Sequence, residues 1–278
     1  MIIIPNYCNN KLIVKGKPEV VKQFILENFR TNKYPYKENS NEYAYILDFE
    51  QFDPTPLNDN GEVFDDWYIW RLCHWGCKWS PSYYQYIELT VEYEDENKKP
   101  KSLFNEVHHL AEEDSLFTEE TIKNLETNAD IMRLELLCDC ETPWGPPEVI
   151  FRQWMEKYSK SGLEASLKFY EPGCEVLGEL WFSGDDYSEL YIDKQDNSKE
   201  HIQYLLEEGW ESRDWYIENS TDIILEMHEN EEEAKLIANK VEETLISCKT
   251  EDAATLIADI YDKYYNWLQG DKDEPSKE

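Results

Sequence analysis

Five side chains could hold a metal or run thiol chemistry. Cys73, His74 and Cys77 lie within five positions, and Cys138 and Cys140 follow later in the chain. Four soft ligands of this kind would suit tetrahedral zinc. The spacing argues against it: adjacent Cys73 and His74 would diverge on a strand, and Cys138 and Cys140 are separated by one residue rather than the two of a knuckle. A thiol nucleophile would need a base and a depressed pKa. His74 beside Cys73 is the one near pairing, without a surrounding signature, and His108 and His109 fall in an acidic stretch that reads as a solvated helix. Paired carboxylates carry no specificity in a chain with 60 acidic residues. None of the ten glycines falls in a GxGxxG or GxxxxGK pattern, so no phosphate cradle is expected. The expectation is a protein without catalytic residues, metal or cofactor.

Charge sets the partner class. Against 60 Asp and Glu stand 27 Lys and Arg, a net of −33 over 278 residues. Such a chain repels nucleic acid and anionic membrane, because phosphate binding depends on Lys and Arg releasing counterions. It is drawn to basic surfaces, above all those that themselves bind nucleic acid. Aromatic residues at 14% are too many for plain acidic disorder. Met1 to Pro5 shows no basic start or cleavage site, and no apolar run approaches a membrane span, so the expected place is the cytoplasm. Seven cysteines, an odd number, fit reduced thiols.

The densest apolar investment is DDWYIWRLCHWGCKWSP, Asp65 to Pro81, where Trp67, Trp70, Trp75 and Trp79 fall within thirteen positions. A shorter stretch, TPWGPP at Thr142 to Pro147, answers it with Trp144. The two read as facing parts of one aromatic seam, with Trp75, Gly76, Trp79, Trp144 and Pro146 as its structural motif. Large rings are usually core, so Trp75, Trp79 and Trp144 are expected to be mostly buried together; the alternative is an exposed docking surface.

The elements that must position these residues follow from periodicity. Asn10 to Lys15 alternates as a half-buried strand, and Pro18 opens a helix to Phe29 with Val21, Ile25 and Phe29 inward. A second strand is expected at Tyr43 to Phe49, then a Pro- and Gly-rich loop, then a strand at Tyr84 to Glu94 with Ile87, Leu89, Val91 and Tyr93 inward. Ser102 to Asp130 reads as an acidic helical insertion, Met132 to Cys140 as strand, and Pro147 to Ser159 as a helix carrying Ile150, Trp154 and Tyr158. Leu163 to Tyr170 and Glu175 to Phe182 read as a hairpin across EPGC. Two strand-helix-strand units give an α+β fold: a ferredoxin-like antiparallel sheet with helices on one face, over residues 1–193. An acidic helical subdomain follows at 199–270, and 271–278 reads as a tail.

PNYCNNKLIVKG at Pro5 to Gly16, the FDPTP loop, HWGCKW at His74 to Trp79, TPWGPPEV at Thr142 to Val149, and FYEPG followed by Gly178 resemble the YubB ferredoxin-like family of phage and plasmid proteins. The resemblance covers residues 1–185, interrupted by the insertion. It implies a mobile-element origin and a ferredoxin-like fold, and transfers no catalytic residue. The family pattern has Trp at Tyr7 and Thr at Cys77, and nothing in it matches the chain after Asp193.

Function is therefore expected in the acidic surface. From His201 to Glu278 there are 21 acidic and 7 basic residues. Helices rich in carboxylates can display them at intervals comparable with duplex phosphates. The expected role is that of an acidic phage or mobile-element protein that inhibits a basic, nucleic-acid-handling host defence protein by DNA mimicry. The partner-binding residues would be Glu207, Glu208, Glu211, Asp214 and Glu218 on one run, and Glu231, Glu232, Glu242 and Glu243 on the next. A non-catalytic scaffold is the alternative, and a zinc or thiol enzyme the second.

Overall fold

The computed structural model describes residues 6–33, 43–82, 85–95, 97–104, 122, 125, 130–173, 176–192, 199–228 and 230–268. It divides into two compact units, Met1–Tyr191 and Ile192–Glu278.

The first unit mixes helices with a seven-stranded antiparallel sheet. Its described strands are β1 (Tyr7–Gly16), β4 (Tyr86–Tyr93), β5 (Lys101–Phe104), β6 (Ile131–Pro143), β7 (Glu164–Glu171), β8 (Val176–Ser183) and β9 (Asp186–Ile192), in the order β5-β4-β6-β1-β7-β8-β9. β2 (Phe29–Lys33) and β3 (Tyr43–Leu47) form a separate two-stranded sheet. The Tyr43 strand therefore lies outside the seven-stranded sheet, and β4 lies within it.

Alternation fixes the register. Leu12 pairs with Cys138 and with Leu167, and Val14 with Leu136 and with Ala165, so one face of the sheet is apolar across three strands. Helix α1 (Pro18–Asn28) follows β1 directly, and α4 (Glu148–Tyr158) links β6 to β7. They touch: Phe24 meets Trp154 and Tyr158 edge-on at 5.3 and 5.4 Å between centroids. Both helices and the apolar strand face belong to one buried cluster. Between β3 and β4 lie the short α2 (Phe49–Phe52) and α3 (Trp67–Trp75).

Ser102 to Phe104 is strand, not the beginning of a helical insertion. Leu103 stands opposite Leu89 and faces the core, and the hydroxyls of Thr90 and Ser102 are 3.2 Å apart, so pairing on the open edge of β4 outweighs local helix propensity. Most of the rest of that stretch lies outside the described residues, though Ile122 is buried in the core. The expected tail at 271–278 lies outside them too.

The second unit is helical among its described residues: α5 (Lys199–Glu208), α6 (Arg213–Met227), α7 (Glu231–Ser247) and α8 (Thr250–Leu268). Ile224, Ala238 and Ile260 bring α6, α7 and α8 together. Arg213 fastens three helix ends, donating to the carbonyls of Leu245 (3.0 Å) and Cys248 (2.8 Å) and to Thr250 Oγ1 (3.2 Å). Two of the carbonyls at the end of α7, those of Leu245 and Cys248, are thereby satisfied. No described helix is long and apolar enough to cross a membrane.

Candidate functional site

Four of the thiols go to the core. Cys8, Cys77, Cys138 and Cys140 are buried and Cys73 is exposed. Burial, with the charges of Glu171, Cys140 and Cys77 behind it, pushes the Cys8 thiol well up; burial does the same to Cys77. Cys138 is raised by its hydrogen bond to Cys140 and by burial. Protonated thiols are neither nucleophiles nor good ligands. No group of three or more His, Cys, Asp or Glu among the described residues is placed to hold a metal ion.

His74 is turned away from Cys73, because neighbours on a helix do not face each other. Its ring stacks on Trp70 at 3.9 Å, and Nδ1 donates to Asp53 Oδ2 at 2.9 Å. Gln153 donates to the carbonyl of His74 at 2.8 Å, and Trp75 Nε1 to that of Asp53 at 3.0 Å. Arg71 reaches Glu50 at 2.6 Å and Thr55 at 2.9 Å while lying over the rings of Trp67 and Trp75. This network binds α3 to the FDPTP loop and to α4. It fixes a scaffold, and what the scaffold presents is aromatic.

The two tryptophan motifs do face each other. Gly76 ends α3 with φ +85°, and a Cβ there would lie 3.1 Å from the amide nitrogens of Glu148 and Val149 and 3.3 Å from the carbonyl oxygen of Pro146. Further along, the amide of Ser82 donates to the carbonyl of Glu141 at 3.2 Å. The stretches 77–81 and 142–145 are thus tied at both ends and run side by side. Trp75 is wholly buried and Pro146 is buried, as expected of a seam. Trp79 and Trp144 are not: they are 36% and 43% exposed, which overturns the expectation that the three rings are buried together. The cause at Trp144 is its backbone. It is the non-glycine residue with positive φ (+74°) among the described residues, held there by its amide donating to the Asn6 carbonyl at 2.9 Å and by the prolines that follow Gly145. A bulky side chain in that region is strained, by about 1–3 kcal/mol. Nearby, Tyr7, Tyr68 and Ile69 are exposed as well.

The acidic residues divide. Glu207 is exposed at the end of α5, where it accepts from Gln203 at 2.7 Å. Glu208 and Glu211 are half-buried, and Tyr261 is pushed up to about 12 by burial and by the charge of Glu211, so these two do not lie on an open face. Asp214 and Glu218 are exposed on α6, and Glu231, Glu232, Glu242 and Glu243 on α7. Glu231 pairs with Lys235 at 2.5 Å, and Asn230 caps α7 beneath it through the amides of Glu232 and Glu233. Of the nine residues, seven are therefore exposed and two, Glu208 and Glu211, are half-buried. Two further carboxylates were missed: Asp222 and Glu226 are exposed and complete a row Asp214, Glu218, Asp222, Glu226 at every fourth position of α6. That spacing is visible in the sequence and was the available signal. Among the described residues, no ion pair neutralises any of the four, and Glu226 accepts from Tyr264 at 2.8 Å.

Comparisons with family models, with curated proteins and with solved structures find no match to this chain.

Proposed function

We propose that this is a non-enzymatic binding protein of a phage or other mobile element. Its C-terminal unit competes with nucleic acid for a basic host protein in the cytoplasm. The observation that carries this reading is the α6 row. Four exposed carboxylates at steps of four residues climb about 6 Å each and about 18 Å in all. Each step turns about 40°, so the row winds slowly round a rigid rod. One strand of duplex DNA carries a charge per about 3.4 Å of axis, so the row offers negative charge at a comparable scale. Glu232, Glu242 and Glu243 on α7 add exposed carboxylates of the same unit.

The N-terminal unit is, in the same reading, a ferredoxin-like β-α-β-β-α-β body made of β1, α1, β4, β6, α4 and β7. The strand order β4-β6-β1-β7 at the centre of the sheet supports it, and the motifs that resemble those of the YubB-like phage and plasmid proteins are in keeping with it.

The test is capture from host lysate on the immobilised chain, followed by DNA competition. The expected partner is basic, is released by salt, and loses DNA as the chain saturates it. Reversing Asp214, Glu218, Asp222 and Glu226 to Lys should slow association and flatten its salt response. A captured partner that still binds DNA fully when saturated refutes mimicry and leaves the scaffold role.

A further inference from the structure

The exposed rings of the N-terminal unit lie in a setting that selects their ligand. Leu57 and Val63 pair across a short loop and are exposed, and Asp59 and Glu62 lie within that loop. Asp65 and Asp66 lead from it into α3, whose first turn exposes Tyr68 and Ile69. All four carboxylates are exposed, and among the described residues none has a cation paired with it. The rings of this region already carry cations of the chain's own. Arg71 lies between Trp67 and Trp75, 5.0 and 4.8 Å from their centroids. Lys78 lies 4.2 Å from the Trp79 centroid and 5.7 Å from that of Tyr68.

From this juxtaposition we propose that Tyr68, Trp79 and Trp144, with the carboxylates of residues 59–66, form a docking surface for an arginine-rich segment of a partner protein. Cations are attracted to the faces of indole and phenol rings. A guanidinium can stack on a ring and at the same time fork onto a carboxylate, which an ammonium cannot. Nucleic-acid bases would also stack on these rings, but the four carboxylates repel the phosphates that accompany them. A purely apolar partner would bury those carboxylates without compensation. Lys78 acts as the resident occupant that an incoming arginine displaces. The strain at Trp144 is the cost of keeping that indole exposed.

The experiment is a titration of the full chain with an oligoarginine peptide, followed by tryptophan fluorescence and calorimetry, with oligolysine of equal length in parallel. Oligoarginine should bind more tightly than oligolysine. Trp79→Ala and Trp144→Gly should each weaken it about two- to fivefold, the worth of one exposed cation–π contact, and together about tenfold. Lys78→Ala should tighten it, by freeing two ring faces and removing a like charge. Trp144→Gly keeps the positive φ without strain, and a cooperative thermal melt recorded for that variant beside the binding separates weakened binding from unfolding. A chain with its α6 carboxylates reversed to Lys separates this surface from the acidic helices: the loss on ring substitution should persist there unchanged. Equal affinity for the two peptides, or ring variants that bind as the parent does, would overturn the assignment.

Discussion

Gly76→Ala tests whether the two tryptophan motifs are locked backbone to backbone. Two costs add at this position. With φ at +85°, any L residue is left-handed, worth about 1–2 kcal/mol. Alanine also stiffens the unfolded chain, which returns about 0.4–1 kcal/mol. The second cost is steric. The new methyl would lie 3.1 Å from two amide nitrogens in the first turn of α4 and 3.3 Å from the Pro146 carbonyl. All three are backbone, so no side chain can swing aside, and overpacking of this kind costs about 1–3 kcal/mol. The expected total is about 1–4.6 kcal/mol, centred near 3.

Gly61 supplies the control within the same unit. Its φ is +77°, and a Cβ there would meet nothing within 4 Å, so Gly61→Ala carries the conformational cost without the clash. It should cost about 0–1.6 kcal/mol. Urea unfolding of parent and both variants, followed by tryptophan fluorescence, reads the difference as a shift in midpoint at constant slope. If the two variants unfold together, the motifs do not meet at Gly76, and the side-by-side course of 77–81 and 142–145 falls with that contact.

Other expectations are quicker to state. Trp154 is buried among Phe24, Phe49 and Phe151, yet its Nε1 has no hydrogen-bond partner among the described residues. Trp154→Ala should cost about 3–5 kcal/mol; Trp154→Phe should cost far less, because it also removes an unsatisfied donor, and equal losses in thermal melts would contradict this. Burial raises the Asp139 carboxyl, against the opposing charge of Lys11 and with that of Glu88, and its Oδ1 has no hydrogen-bond partner among the described residues. Its folded pKa lies above the unfolded one, so its contribution is present at acid pH and is lost as pH rises through the folded pKa. Asp139→Asn should therefore be more stable than the parent near neutrality, with the gap closing toward about pH 4; a gap that widens in acid refutes the sign. Along α6, Glu218→Gln with Asp222→Asn removes like-charge neighbours worth about 0.2–0.5 kcal/mol a pair. The gain in helix stability should fade in high salt, where surface charges are screened, and a salt-independent gain would point to another cause.

What the sequence could disclose depended on whether a periodicity had a physical partner. β1 was legible because Leu12 and Val14 alternate with charged and half-exposed residues, and the same rule found β4, β6 and the β7–β8 hairpin. β9 was not, since DYSELYI at the sheet edge has hardly any buried face to create an alternation. β2 was hidden because Arg30 to Lys33 is polar and pairs only with β3. The exposure of Trp79 and Trp144 was beyond reach for a different reason. Composition counts a large ring as core, and positive φ is signalled by Gly or Asn, so nothing in TPWGPP marks Trp144 as the strained residue rather than Gly145.

That failure and the charge of α6 have the same physical character. Packing alone would put a smaller or more flexible residue at position 144 and would alternate the signs of charge along α6, since opposite charges four apart stabilise a helix and like charges destabilise it. The chain does neither: it holds an indole in solvent at φ +74° and repeats Asp214, Glu218, Asp222 and Glu226 without a neutralising partner among the described residues. Elsewhere it follows the stability rules closely, as at the Arg213 clamp and the Asn230 cap. Local departures of this kind in an otherwise consistent fold mark the places where something other than folding has set the residue. They fall one in each unit, one aromatic and one acidic, and both are suited to a cationic surface.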